Sequence, residues 1–479
     1  MSGPAPYPVV FAAARCRLLG TFRRLFWVPF LALTACGSLP TIAPGAARFS
    51  PPPLVQGAHG PLSAARSQQI IEKLKGDNPQ ANQLDRHLAL EQAISDSPIS
   101  AGNRVRLLEN GPATYRAMLA AIAGARSSIN MESYIFEDDE VGQRFADALL
   151  ARQARGVQVN LVYDSVGTLG TKPGFFERLT AAGINVVEFN PINPLEAKAG
   201  WELNQRDHRK LLVVDGKVAF LGGINVSNVY SGGSFSRASA ARPAPGSAAS
   251  KAWRDTDLQV EGPVVAEFQK LFMETWEKQK GAPLVQARYF PPLERQGGDV
   301  VHAIGSSPDD PYSLIYATLI SAIENSQTEV WLTNAYFVPD PQLRAALKSA
   351  VVRGVDVRLV LPGSTDSSLV FHAGRSYYDE LLTAGIKIYE RSGVLLHAKT
   401  AVIDGVWSTV GSTNLDWRSF LHNQELNAVV LGAEFGDQMR AAFEADVAES
   451  KPIMLAEWRS RPVSLRMKEF ASRCWQYWL

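Results

Sequence analysis

A histidine, a lysine two residues on and an aspartate five residues further recur in this chain of 479 residues. The first set is His208, Lys210 and Asp215; the second is His397, Lys399 and Asp404. Both lie in apolar, β-branched runs, Leu211-Leu212-Val213-Val214 and Thr400-Ala401-Val402-Ile403. A lone histidine on a strand is usually structural, but two copies at the same offsets predict one shared site with paired imidazoles.

The surroundings repeat as well. Asn225 and Asn414 lie at the same distance after their histidines, following Gly222-Gly223 and Gly411-Ser412. Aligning Leu258 to Gly262 with Leu426 to Gly432 by their final glycines sets Asp255 opposite Glu425. A carboxylate for each histidine would fix its tautomer and support the charged imidazole.

Strands are the elements expected to position these groups, because side chains two apart share a face and so aim His and Lys the same way. Asp215-Gly216 and Asp404-Gly405 are strong two-residue hairpin signals, with return strands over Val218 to Leu221 and Val406 to Val410. That turn position gives Asp215 and Asp404 a supporting role.

The wider chain reads as two similar halves. Ala121-Ile122 through Tyr134-Ile135-Phe136 parallels Ala322-Ile323 through Ala335-Tyr336-Phe337. Arg155-Gly156-Val157 matches Arg353-Gly354-Val355, and Ala182-Gly183-Ile184 matches Ala384-Gly385-Ile386, each a helix stop before a strand. Alternating helices and short apolar strands imply an α/β fold with largely buried sheets. The halves are expected over 68–285 and 286–479, the second with a C-terminal tail, packed as a pseudo-twofold. A Pro-, Gly- and Ser-containing stretch over about 231–250 has no counterpart and is expected to be a mobile insertion near the site.

Composition bounds partners more than chemistry. Forty-eight basic residues against 47 acidic ones leave a formal charge of +1, without the excess of a dedicated nucleic-acid binder. Cys16, Cys36 and Cys474 form no CxxC pair, so neither a zinc ribbon nor a redox couple is indicated.

At the N-terminus, Arg15, Arg17, Arg23 and Arg24 precede an apolar run from Leu25 to Leu33. That run is shorter than the roughly 20 residues of a membrane span and suits a secretory signal. Its end, Leu33-Thr34-Ala35-Cys36-Gly37, resembles the lipobox of bacterial lipoproteins. The resemblance implies cleavage after residue 36's predecessor, a lipid anchor on Cys36 and export to the periplasmic face of a bacterial membrane. Gly37 favours the outer membrane. The alternative is an anchoring helix or a disordered leader with a chance cysteine. Residues 37–67, rich in Pro, Ala, Gly and Ser, are expected to be a flexible spacer. Folded structure is expected from near Gln68, where Ile70, Ile71 and Leu74 take helical spacing.

The paired motifs resemble the phospholipase D superfamily, and their wording resembles bacterial cardiolipin synthases. The resembling text includes Glu132-Ser133-Tyr134-Ile135-Phe136, Asp207-His208-Arg209-Lys210, Tyr336-Phe337-Val338-Pro339-Asp340 and Asn414-Leu415-Asp416-Trp417-Arg418. It implies two α/β/α sandwich halves with a single active site between them. By that resemblance His208 is the nucleophile that forms a phosphohistidine, and His397 is the acid and then the base; the reverse assignment uses the same residues. Lys210, Lys399, Asn225 and Asn414 would hold the phosphoryl oxygens. No metal or other cofactor is called for. Expected partners are phospholipids at a membrane surface and no nucleic acid, with the chain a monomer. A lipid alcohol as acceptor would give cardiolipin; water would give a phospholipase D. A nuclease of the superfamily and a non-catalytic lipid-binding protein are the more distant readings.

Overall fold

Segments of five to eleven residues, most of them apolar, become the strands of two matching sheets. The computed structural model describes residues 39, 55–75, 81–94, 97–193, 201–202, 204–231, 252–284 and 289–479. Cys36, the expected signal over 1–36 and nearly all of the insertion over 231–250 lie outside the described residues.

In the first half the strands are β1 (Ile99–Glu109), β2 (Ser128–Ser133), β3 (Gln158–Asp164), β4 (Asn185–Phe189), β5 (Lys210–Val214), β6 (Val218–Gly222) and β7 (Thr256–Glu261). In the second they are β8 (Asp299–Ser306), β9 (Glu329–Asn334), β10 (Asp356–Pro362), β11 (Lys387–Arg391), β12 (Lys399–Ile403), β13 (Trp407–Gly411) and β14 (Asn423–Leu431). Pairing runs β4-β3-β2-β5-β6-β7-β1 in the first half. The second repeats that order as β11-β10-β9-β12-β13-β14-β8. Within each sheet the three strands at one end are parallel and the remaining pairs antiparallel. The halves join where β8 pairs with the start of β1.

Apolar side chains pack in three layers, and the middle one is shared by the two halves. Helices Val265–Lys278 and Ala433–Ala448 bury Phe268, Phe272 and Trp276, and Phe435, Met439 and Phe443, in one core with strand residues of both sheets. Helices Asn110–Gly124, Glu140–Gln153 and Pro173–Ala181 cover the other face of the first sheet. Leu314–Asn325 and Pro341–Val352 do the same for the second. Every residue of β5 is buried, as expected of a strand covered on both faces and read as a continuous apolar run.

The local punctuation behaves as its chemistry dictates. Gly156 and Gly354 close their helices at φ of 83° and 89°, a region open to glycine. Asp215-Gly216 and Asp404-Gly405 all have positive φ, and the Lys217 and Val406 amides donate to Val214 and Ile403. These are type I′ turns, whose twist matches the flanking strands.

The stretch expected to be a spacer contains structure before residue 68. Val55 is fully buried, Gln56–Gly57 pairs with Gly60–Pro61, and a helix already spans Ala64–Lys75. The second helix, Ala81–Ile94, sends His87 and Glu91 into the second half. His87 Nε2 is 3.3 Å from Asp404, and Glu91 meets His302 and the Trp407 indole. The apolar Val55, Ile71, Leu84 and Leu88 join that half's core, which composition alone concealed.

Candidate active site

Each histidine is fixed to the opposite half through its own backbone. Arg206–Asp207 pairs in parallel with Asn423–Gln424, and the His208 amide donates to the Gln424 carbonyl at 3.0 Å. In the mirrored arrangement, Leu396 bridges Arg254 and the His397 amide donates to the Arg254 carbonyl at 2.7 Å. The histidines were expected within strands; they stand just before them, because β5 and β12 begin at the lysines. Their backbone is engaged in the cross-half bridge instead.

That register delivers the carboxylates. The residue after each acceptor carbonyl is acidic, and it faces the imidazole just anchored. Both Glu425 oxygens lie 3.1 Å from His208 Nδ1. Asp255 Oδ2 lies 2.7 Å from His397 Nδ1. The carboxylates expected from the repeat are therefore exchanged, each serving the histidine of the other half. Ser412 Oγ and Asn423 Nδ2 donate to Glu425, and the Thr256 amide donates to Asp255.

Burial sets the charge states. Both histidines are nearly inaccessible, at 7% and 5% exposure. Burial pushes His208 down to about 4, against the pull of Glu425, with the Lys210 charge adding to the shift. Burial and Lys399 lower His397 as well, opposed by Asp255. For Glu425 and Asp255 burial favours the neutral acid, but the facing histidines and lysines outweigh it and hold both below the usual carboxylate range. For His208, a neutral imidazole donating Nδ1–H to the anionic Glu425 satisfies these directions. It leaves the lone pair on Nε2.

The lysines complete one electrostatic cluster. Burial lowers Lys210 to about 7 and Lys399 to about 8. Lys210 Nζ donates to the His208 carbonyl and lies 5.2 Å from the centre of the Tyr134 ring. Lys399 Nζ donates to the His397 carbonyl and sits 3.0–3.1 Å from both nitrogens of that ring. Each lysine also shifts the histidine of the opposite motif, so the two sets share one field. Partly charged, buried lysines gain most from an anion that enters between them.

The asparagines are not equivalent. Asn225 Oδ1 accepts from the Ile135 amide, and its Nδ2 donates to the Tyr230 hydroxyl, itself 3.3 Å from His397 Nδ1. Asn414 is buried with Oδ1 unpartnered. Asp215 and Asp404 stand away from the imidazoles. Asp215 accepts from the amides of Arg126, Ser127 and Ser128, and Asp404 from those of Gln327, Thr328 and Glu329. Each clamps its turn to the start of the neighbouring antiparallel strand, β2 or β9.

Several site residues escaped the repeat because they have no partner in it. Tyr134 packs edge-on to His208 at 5.0 Å; Tyr230, Trp253 and Tyr336 surround His397 at 5.7, 5.2 and 6.3 Å. Glu132 and Asp207 form a second buried carboxyl pair beside Arg209, both raised by burial, with Glu132 adding to the shift of Asp207. Glu132, Tyr134, Asp207 and Tyr336 stand in the stretches that resemble cardiolipin synthases, but no matched offset singled them out.

Known proteins resemble the chain over both motif-bearing halves. The family model described as "Cardiolipin synthase, PLD-like domain" matches residues 118–231 and 319–447, the two motif-bearing halves. The chain belongs to that family. A cardiolipin synthase of a Geobacillus species is 34% identical over 391 residues, covering 81% of this chain and 74% of the relative. A probable cardiolipin synthase of Bacillus subtilis is 34% identical over 381 residues, covering 78% and 72%. Among solved structures, the phosphatidylserine synthase of Haemophilus influenzae superposes with a TM-score of 0.59 at 13% identity, over 82% of this chain and all of that one, which shows a shared fold. The family also corrects one expectation, export with a lipid anchor and an outer-membrane address. Its similar members come from Geobacillus and Bacillus, Gram-positive bacteria without an outer membrane. Among the described residues no helix is long and apolar enough to cross a membrane.

Proposed function

We propose that this protein is a phosphatidyltransferase that makes cardiolipin from phosphatidylglycerol or a second phospholipid donor, through a phosphohistidine. The observation that carries the reading is the exchanged pairing of two buried histidines with two carboxylates beside two lysines. His208, held by Glu425 on Nδ1 with Nε2 unprotonated, attacks the donor's phosphorus. His397 acts as the acid from its imidazolium form, which Asp255 on Nδ1 and the entering phosphate anion support; the P–O bond to the headgroup glycerol breaks as its Nε2–H passes to that oxygen, leaving a neutral imidazole for the second step. A hydroxyl of a second phosphatidylglycerol then gives its proton to His397 and attacks phosphorus from the other side; the P–N bond breaks and His208 is restored. With both lipids phosphatidylglycerol, the products are cardiolipin and free glycerol. Lys210, Lys399 and Asn414 bear on the non-bridging oxygens, where preorganised donors are most effective. Asn225 orders Tyr230 and, through it, His397. Relatives named cardiolipin synthase support lipid alcohol over water as the acceptor.

Purified protein incubated with phosphatidylglycerol vesicles is expected to release glycerol and cardiolipin in equal amounts. Phosphatidic acid as the sole product would replace the transferase reading with hydrolysis. DNA cleavage without lipid turnover would remove both.

A further inference from the structure

The last seventeen residues carry five of the thirteen large apolar side chains exposed among the described residues. Val463, Met467 and Phe470 are 68%, 67% and 72% exposed, and lie at i, i+4 and i+7 on the helix Val463–Arg473. Trp475 and Trp478 follow at 57% and 56%. The opposite side of the helix is anchored: Glu469 is buried and paired with Arg461. An apolar stripe normally faces a core; this one faces outward.

The stripe lies along structure that leads to the site. Helix Val463–Arg473 packs on the helix Ser368–Arg375, whose Leu369 is also exposed. Just before that helix, Asp366 accepts the Tyr336 hydroxyl at 2.7 Å, and Tyr336 borders His397. At the other end, the Leu479 carbonyl accepts the Arg418 amide, and Tyr477 packs on Trp417 and His422. Arg418 in turn donates to Asn204, on the approach to His208.

Charge names the occupant. Residues 459–479 hold five basic side chains against one acidic residue, Glu469; Arg459 and Arg461 are engaged by Asp379 and Glu469, and Arg466, Lys468 and Arg473 make up the rest. Arg466 and Lys468 are exposed beside the stripe. Apolar side chains, tryptophans and flanking cations on one short helix match an interfacial helix that lies in the headgroup layer of an anionic bilayer.

We propose that the segment Val463–Leu479 docks the protein on anionic membrane surface and holds the mouth of the site against the lipid headgroups. This rests on the reading that the substrate is a phospholipid. It assigns the membrane contact to the C-terminal helix.

The test uses the full chain, its M467E/F470E variant and its R466E/K468E variant. Measured are sedimentation with vesicles of phosphatidylcholine mixed with phosphatidylglycerol, turnover of those vesicles, and turnover of short-chain phosphatidylglycerol below its micelle concentration. M467E/F470E is expected to weaken vesicle binding and raise the KM for vesicles by about tenfold, leaving short-chain turnover and melting temperature unchanged. R466E/K468E is expected to lose binding chiefly at low salt. Unchanged vesicle binding and KM in M467E/F470E would overturn the proposal. So would a wild-type dimer that M467E/F470E splits into monomers, which would make the stripe a self-association face. Wild-type protein that binds vesicles through this segment but turns over neither lipid form would sink the catalytic reading and leave the docking surface standing.

Discussion

The two motifs share a backbone plan but differ in what surrounds each imidazole. His208 meets both oxygens of one carboxylate and one aromatic ring, Tyr134. His397 has a single, shorter carboxylate contact, a tyrosine hydroxyl near the same nitrogen, a lysine ammonium over its ring, and Trp253 and Tyr336 beside it. Duplication explains the shared plan: carbonyl acceptor, carboxylate next in sequence, histidine from the other half. The difference shows how one repeat can supply unlike partners to a two-step reaction. A histidine with an open Nε2 suits attack, and one enclosed by donors and acceptors suits moving a proton in both directions.

Removing the carboxylates should expose that division most strongly. Glu425→Gln and Asp255→Asn are each expected to lower kcat by about 10²–10³, the range for loss of an orienting acid–base partner. Glu425→Gln should slow formation of the phosphoenzyme, whereas Asp255→Asn should slow both its formation and its resolution; rapid-quench kinetics separate the two. Equal effects of both variants on both steps would erase the proposed asymmetry.

A smaller contrast lies in the motif aspartates. Asp404 is fully buried and accepts from three amides, the Thr328 hydroxyl and His87; Asp215 is only partly buried and has three amides. Denaturant unfolding should show Asp404→Asn costing about 2–3 kcal/mol and Asp215→Asn about 1 kcal/mol, with little change in KM for either. A catalytic loss without a stability loss would move these aspartates into the chemistry.

The subtlest contrast is between the lysines. Lys399 is supported by four carboxylates, Asp255, Glu425, Asp366 and Asp416, while the charge on Lys399 further lowers Lys210. Carbon-13 NMR of the lysine side chains should give midpoints near 7 for Lys210 and near 8 for Lys399. The protonated form binds a phosphoryl anion, so inorganic phosphate should bind more weakly as pH rises through that window and should draw protons into the site. Reversed midpoints would contradict the electrostatic difference.

Much of this was readable from the sequence, and the reasons are physical. Hairpins at Asp215-Gly216 and Asp404-Gly405 depend on local backbone preferences, so local residues reveal them. Matched offsets revealed Asn225, Asn414, Asp255 and Glu425, because duplication copied them together. The exchange of carboxylates was not legible, since it depends on how two halves pack. Tyr230 stayed hidden for a related reason: its contacts with Asn225 and His397 are made in three dimensions and no second copy marks it. The helix Ala81–Ile94 escaped because the buried partners of its His87 and Glu91, Asp404 and His302, lie more than two hundred residues away.

The central claim is one site in which the halves play different parts. It is tested most directly by quenching a single turnover of phosphatidylglycerol in detergent and locating the lipid adduct by mass spectrometry. The account predicts at most one phosphatidyl group per chain, on His208, and none in His208→Asn. An adduct on His397, or two adducts on one chain, would contradict it.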